Sequence, residues 1–124
     1  MNVYLDNAAT TPMAPEVFDA MVPYMKEHFG NPSSTHAFGR KTKNAIEMAR
    51  KSIAATLNAE PSEIVFTSGG TEADNMALRC SVVDLGVERI ITSTIEHHAV
   101  GHTAESLIET NSVEVVYVNL DQRG

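Results

Sequence analysis

Ile64-Val65-Phe66-Thr67-Ser68-Gly69-Gly70-Thr71-Glu72-Ala73-Asp74-Asn75 is the stretch that decides the fold. The run Ile64 to Thr67 is apolar, β-rich and short, as a buried strand should be. Ser68-Gly69-Gly70 breaks it, and a helical pattern begins near Thr71. Two more strand-like runs follow, Arg89 to Thr92 and Val113 to Val118, separated by a helical pattern from about His98 to Glu109. The expected order is therefore β-α-β-α-β. That alternation predicts an α/β fold with a parallel sheet and crossover helices, in which ligands gather where strands end and helices begin.

Upstream, Val3 to Leu5 reads as a short extended segment. Asp6-Asn7-Ala8-Ala9-Thr10-Thr11-Pro12 follows as a polar turn whose small residues allow close backbone approach. From Pro15 to about His28, the residues Val17, Phe18, Met21, Val22 and Met25 recur at helical spacing. Pro15 suits a first turn, Pro23 is a source of a kink, and Gly30 is the expected stop. Gly30-Asn31-Pro32-Ser33-Ser34 is a loop by composition, and Phe38 to Leu57 resumes a helical period through Ile46, Ala49, Ile53 and Leu57. Five of the nine basic residues, Arg40, Lys41, Lys43, Arg50 and Lys51, fall on this helix and read as a solvated face with no ligand.

The 124 residues are 43% apolar, enough for one compact domain with a modest core. A formal charge of -7 argues against nucleic acid as a ligand, since such proteins carry a basic face. Cys80 stands alone, which excludes an internal disulfide framework and a multi-cysteine zinc or iron-sulfur site. It falls inside the helix after the glycine turn, where a buried apolar thiol is the expected reading and a nucleophile is not. No run approaches the ~20 apolar residues that span a bilayer, and the start lacks a signal-peptide pattern, so a cytoplasmic setting is expected. Asn119 to Gly124 reads as the exit from a strand with nothing to finish the sheet, the mark of a fragment.

The turn Ser68-Gly69-Gly70 and the helix from Thr71 form a phosphate cradle on paper. Free backbone N–H groups and the positive end of the helix dipole point outward, glycines remove bulk, and Thr71 adds a hydroxyl. This is neither a Walker loop nor a dinucleotide fingerprint, and the turn taken alone reads equally as an ordinary strand-to-helix connection with Thr71 as a cap. Thr94-Ile95-Glu96-His97-His98 follows the strand Arg89 to Thr92, at the same sheet edge. A histidine there can lie flat on an aromatic cofactor and exchange protons near neutral pH, or it can cap the next helix. His98 and His102, spaced i and i+4 with Glu105 beyond, form a weak metal pair without a His-Glu-x-x-His pattern or an assured third ligand, and no metal site is assigned. His28 reads as a structural residue near a helix C-terminus, and Asn31-Pro32-Ser33 is no glycosylation sequon because proline blocks it.

Taken together, Tyr4 to Pro12, Phe29 to Ser34, His36-Ala37-Phe38-Gly39-Arg40, Ile64 to Asn75 and Glu96-His97 resemble, in order and spacing, the cysteine desulfurases of the class V aminotransferase group. The resemblance implies a homodimeric fold-type-I pyridoxal-phosphate enzyme. It would convert L-cysteine to L-alanine and pass the sulfur, as a persulfide, to an acceptor such as an iron-sulfur scaffold or a thio-cofactor pathway. In that reading Gly70 and Thr71 hold the cofactor phosphate, and His97 stacks on the pyridine ring and acts in proton transfer. Asn7 and His36 lie on the substrate side of the active-site mouth. Residues 1–15 would form an N-terminal segment near that mouth, 16–58 a helical region of the small domain and its linker, and 59–124 the first, truncated part of the large cofactor-binding domain. The resemblance also requires a Schiff-base lysine, an acid facing the pyridinium nitrogen, an arginine and a mobile cysteine. None of Lys26, Lys41, Lys43 and Lys51 matches the lysine context, so this chain alone is expected to be inactive. Competing readings are a selenocysteine lyase, a class V aminotransferase of other substrate, and a non-catalytic module, for example one that binds metal through His98 and His102.

Overall fold

Proline at the start of a helix sacrifices nothing, because the N–H it lacks would have had no intrahelical acceptor. Pro15 takes that position, and α1 spans Pro15–Lys26. The helix runs on through Pro23. The amides of Glu27 and His28 then both reach the Pro23 carbonyl, at 2.8 and 2.9 Å, and Glu27 ends the helix three residues ahead of the expected stop at Gly30. Gly30 has a different duty: a Cβ there would sit 2.5 Å from the Phe38 backbone, so glycine is what lets the loop close on the next helix.

That helix, α2, spans Ala37–Leu57. His36 is its N-cap, with Nδ1 accepting from the Gly39 amide at 3.3 Å, and Asn58 closes it in a left-handed conformation at φ 52°. Gly39 is buried, and a Cβ on it would collide with the Ser34 and Asn31 carbonyls. Beyond α2 a single 3₁₀ turn, Pro61–Glu63, is held by the Glu63 carboxylate, which accepts from the Glu60 amide at 2.7 Å. Arg50 on α2 donates to the Ile64 carbonyl and reaches Glu47 at 3.3 Å.

The computed structural model describes residues 1–124 and divides them into two compact units, Met1–Ile64 and Val65–Gly124. The second unit runs α3 (Gly70–Val83), β1 (Arg89–Thr92), α4 (His98–Asn111) and β2 (Glu114–Tyr117). β1 and β2 pair in parallel with Ile90 opposite Val115 and Ile91 opposite Val116. The ladder extends past both ends, through Glu114 N–H to the Glu88 carbonyl at 2.9 Å and Val118 N–H to the Thr92 carbonyl at 2.8 Å. Arg89 and Glu114, directly paired across the strands, add an ion pair at 2.6 Å.

Alternation of side chains sends Ile90 and Val115 to one face, where they pack with Val82, Leu107, Val113 and Leu78. Leu107 is fully buried at the centre of this core. The other face of the sheet keeps Ile91 66% exposed. The expected alternation of helix and parallel strand is present, but the first expected strand is not. Ile64 to Thr67 joins no ladder: the sheet consists of β1 and β2 alone. Val65 and Phe66 accordingly stay largely exposed instead of buried. No helix is long and apolar enough to cross a membrane.

Candidate functional site

The turn into α3 is organised by its own third helical residue. Glu72 Oε2 accepts from the Ser68 amide at 2.6 Å and from the Ser68 hydroxyl at 2.7 Å. These bonds, the amide first, hold the Glu72 carboxyl below the usual carboxylate range. Thr67 Oγ1 donates to the Gly69 carbonyl at 3.1 Å and braces the turn from the other side. Gly69 occupies the N-cap position, and no side chain caps the helix. The first intrahelical bond is Ala73 N–H to the Gly69 carbonyl, so the amides of Gly70, Thr71 and Glu72 have no acceptor within α3. A Cβ on Gly69 or Gly70 would touch nothing. Thr71 is the second residue inside the helix, not its cap.

α4 begins differently. His97 is extended at φ -61° and caps it, Nδ1 accepting from the Ala99 amide at 3.1 Å. With Nδ1 committed as an acceptor, the ring proton of the neutral imidazole lies on Nε2. The sequence offered cap and ring partner as alternatives for this histidine. The cap is formed, and the ring itself stays exposed.

Between α3 and α4 opens a cleft of 320 Å³, lined by Thr71, Asn75 and Arg79 from α3 and by His97, His98 and His102 from the start of α4, with the buried Ala99 and Thr103 at its floor. Thr71 and His97, proposed from two separate motifs, thus share one cleft, and Gly70 opens α3 immediately before it. One cation, three imidazoles and no carboxylate line it, a composition suited to an anion. Asn75, Arg79 and His102 had been given no role there. Their signal was spacing: Thr71, Asn75 and Arg79 recur every fourth residue on one face of α3.

Asn7 and His36 belong to the first unit. Asn7 sits in a turn closed by the Ala9 and Thr10 amides on the Asp6 carbonyl, at 3.1 and 3.3 Å, and His36 is occupied as the cap of α2. His98 and His102 stack with ring centroids 5.4 Å apart and 25° between planes. No group of three or more His, Cys, Asp or Glu converges to hold a metal. Cys80 is exposed, against the expectation of a buried thiol, because the side of α3 that carries it faces away from the small core. Its hydrogen bond to Asp84, with lesser help from desolvation and the Asp84 charge, pushes the thiol pKa up, which opposes thiolate formation.

The chain is similar to known proteins along nearly its whole length. The chain is 51% identical to the cysteine desulfurase IscS of Dictyoglomus turgidum over 98% of its own length and 31% of that protein's. It is 52% identical to the cysteine desulfurase IscS of Methanosarcina thermophila, again over 98% of this chain and 30% of the relative. Among solved structures, a NifS-like protein superposes with a TM-score of 0.90 at 38% identity, covering 99% of this chain and 34% of that one. SspA in complex with cysteine superposes with a TM-score of 0.81 at 42% identity, covering 90% and 32%. The chain therefore spans about a third of the length of the proteins it matches. With residues 3–124 matched by the aminotransferase class-V family, the chain belongs to that family.

Proposed function

We propose that this chain forms the N-terminal part of a pyridoxal-phosphate-dependent cysteine desulfurase, with residues 59–124 contributing to the cofactor-binding domain and 1–58 to the small domain and the active-site mouth. The observation that carries the proposal is the cleft shared by Thr71 and His97, lined by one cation and three imidazoles with no carboxylate and bordered by an uncapped helix N-terminus.

The residues present fit the cofactor. A phosphate group needs hydrogen-bond donors without competing acceptors, and the Gly70 and Thr71 amides with the Thr71 hydroxyl supply them beside open space at Gly69 and Gly70. An aromatic ring needs a flat partner, and His97 offers an exposed imidazole whose orientation its bond to Ala99 fixes. Pyridoxal phosphate, when bound, supplies the electron sink for bond breaking at the substrate's α-carbon. His97 would offer its ring to the cofactor's aromatic face, and with Nδ1 accepting from Ala99 its Nε2 proton would be the one available for transfer. Arg79, His98 and His102 keep the cleft attractive to an anion. Asn7 and His36 are assigned to the substrate side.

The reaction is removal of sulfur from L-cysteine, leaving L-alanine, with the sulfur passed to a thiol as a persulfide for an iron-sulfur scaffold or thio-cofactor pathway. The working enzyme is assigned as a cytoplasmic homodimer. The second unit holds no lysine, and its one thiol, Cys80, is tied to Asp84, so its own part is cofactor binding and not covalent chemistry.

Titration of pyridoxal phosphate into the protein, followed by NMR, tests this. The Gly70 and Thr71 amides and the His97 ring should shift together, and Thr71→Val should weaken the response. Binding that leaves those three groups unmoved would sink the assignment. The same preparation should release no sulfide from L-cysteine, and release would show that the required lysine and cysteine roles are filled within these residues.

A further inference from the structure

Building on that assignment, we propose that Thr103 is a positioning residue, whose hydrogen bond to Asn75 fixes the phosphate end of the site relative to the ring-binding histidine. Thr103 is 4% exposed and is the one buried polar side chain in the protein. Helical Ser and Thr hydroxyls usually bond back to the carbonyl four residues earlier. Thr42, Thr56, Ser81 and Thr110 all do so here, to Phe38, Ser52, Ala77 and Ser106. Thr103 instead donates across to the other helix, to Asn75 Oδ1 at 2.7 Å.

Asn75 in turn donates through Nδ2 to the Thr71 carbonyl at 2.8 Å. Both ends of its amide are used, so its orientation is set by the pair of bonds and not by either alone. The result is a directed chain, Thr103 to Asn75 to Thr71, that runs from inside α4 to the first turn of α3. Thr103 lies six residues along α4 from His97, roughly 9 Å at the helical rise, and Asn75 lies one turn from Thr71. The link therefore joins the two helices just below the two ends that carry the proposed cofactor contacts. Slippage there changes the separation of Thr71 and His97 without altering either residue.

A ligand that touches only the α3 end should not sense that separation, whereas one that spans both ends should. Thr103→Val keeps the shape and removes the donor. Its affinity for pyridoxal phosphate should fall about three- to tenfold, the loss expected of one hydrogen bond, while the affinity for inorganic phosphate stays within about twofold of the parent on the same scale. Thr103→Ser, which restores the hydroxyl, should recover the difference. If Thr103→Val does not fold, Thr103→Ala, which removes the same donor and leaves Asn75 in place, carries the same comparison.

Equal loss for both ligands, or no loss for either, would overturn the positioning role and reduce the bond to packing. Failure of the unmodified protein to bind pyridoxal phosphate at all would overturn the cofactor assignment on which this inference rests.

Discussion

Substitution of His97 separates two duties that the structure loads onto one side chain. As the N-cap of α4, His97 accepts from the amide of Ala99, whose residue is 6% exposed, so little water can reach that donor if the ring is removed. Loss of an N-cap costs about 0.5–2 kcal/mol, and the burial of Ala99 puts His97→Ala near the middle of that range or above it. For a domain of this size about 1 kcal/mol lowers the melting temperature by roughly 4–8 °C. His97→Asn places one of the best capping residues at the same position, and its stability should stay within about 0.5 kcal/mol of the parent. Both variants remove the imidazole, so both should lose most of their affinity for pyridoxal phosphate. Thermal unfolding by circular dichroism and a cofactor titration on each variant give the four required values. Equal destabilisation by Ala and Asn would show that the ring, not the cap, supports α4, and cofactor affinity unchanged in His97→Asn would refute the stacking role.

Three further outcomes follow from other contacts. Gly70→Ala adds a Cβ in open space and improves a helical position, so stability should rise by up to about 1 kcal/mol, whereas inorganic phosphate should bind more weakly because the added methyl crowds the helix end. Glu72 has a lowered pKa, so its bonds to Ser68 contribute fully above the ordinary glutamate pKa and are lost as pH falls through the folded value; an NMR titration should find the Glu72 midpoint below that of a free glutamate, with the Ser68 amide shift following it, and a normal midpoint would remove the brace. Leu107→Ala empties the middle of a core of only four buried side chains, and a cost of about 2–5 kcal/mol should leave the second unit unfolded or nearly so by circular dichroism at room temperature.

Periodicity located α1 to α4 and the strands Arg89–Thr92 and Glu114–Tyr117 within a few residues, because each helix or strand pattern is local and its packing partner lies within the same unit. Ile64 to Thr67 shows where that logic stops. Its composition is that of a buried strand, but strand formation requires a neighbouring ladder, and composition cannot say whether one is within reach. Cys80 failed for a related reason: burial in α3 depends on how much structure surrounds the helix, and only the side carrying Leu78 and Val82 meets the core. Gly30 was legible as a loop glycine but not as a contact glycine, since its requirement comes from Phe38, eight residues on. Within the site, Thr71 and His97 were visible as separate motifs. The Thr103 to Asn75 bond was not, because nothing in a sequence announces which helical threonine will bond outward.

The three helices that border loops of interest begin in two contrasting ways, and the contrast bears on function. α2 and α4 are capped by the imidazoles of His36 and His97, each satisfying an amide of the first turn. α3 has only Gly69 at its cap, and the one acidic group nearby, Glu72, spends its carboxylate on Ser68 and so leaves the helix amides alone. A serine or aspartate at position 69 would satisfy one of those amides and stabilise the isolated helix, but its oxygen would stand where an incoming anion must sit. Glycine at a cap costs only a few tenths of a kcal/mol relative to such residues. An anionic group at the end of α3 supplies the missing acceptor and the negative charge the helix dipole favours, returning more than glycine gives up. The sequence choice is thus poor for a helix that must stand alone and good for one completed by a phosphate. Gly69→Ser separates these cases: it should stabilise the protein and weaken its affinity for inorganic phosphate, the same opposed signs as Gly70→Ala but through an added acceptor in place of added bulk.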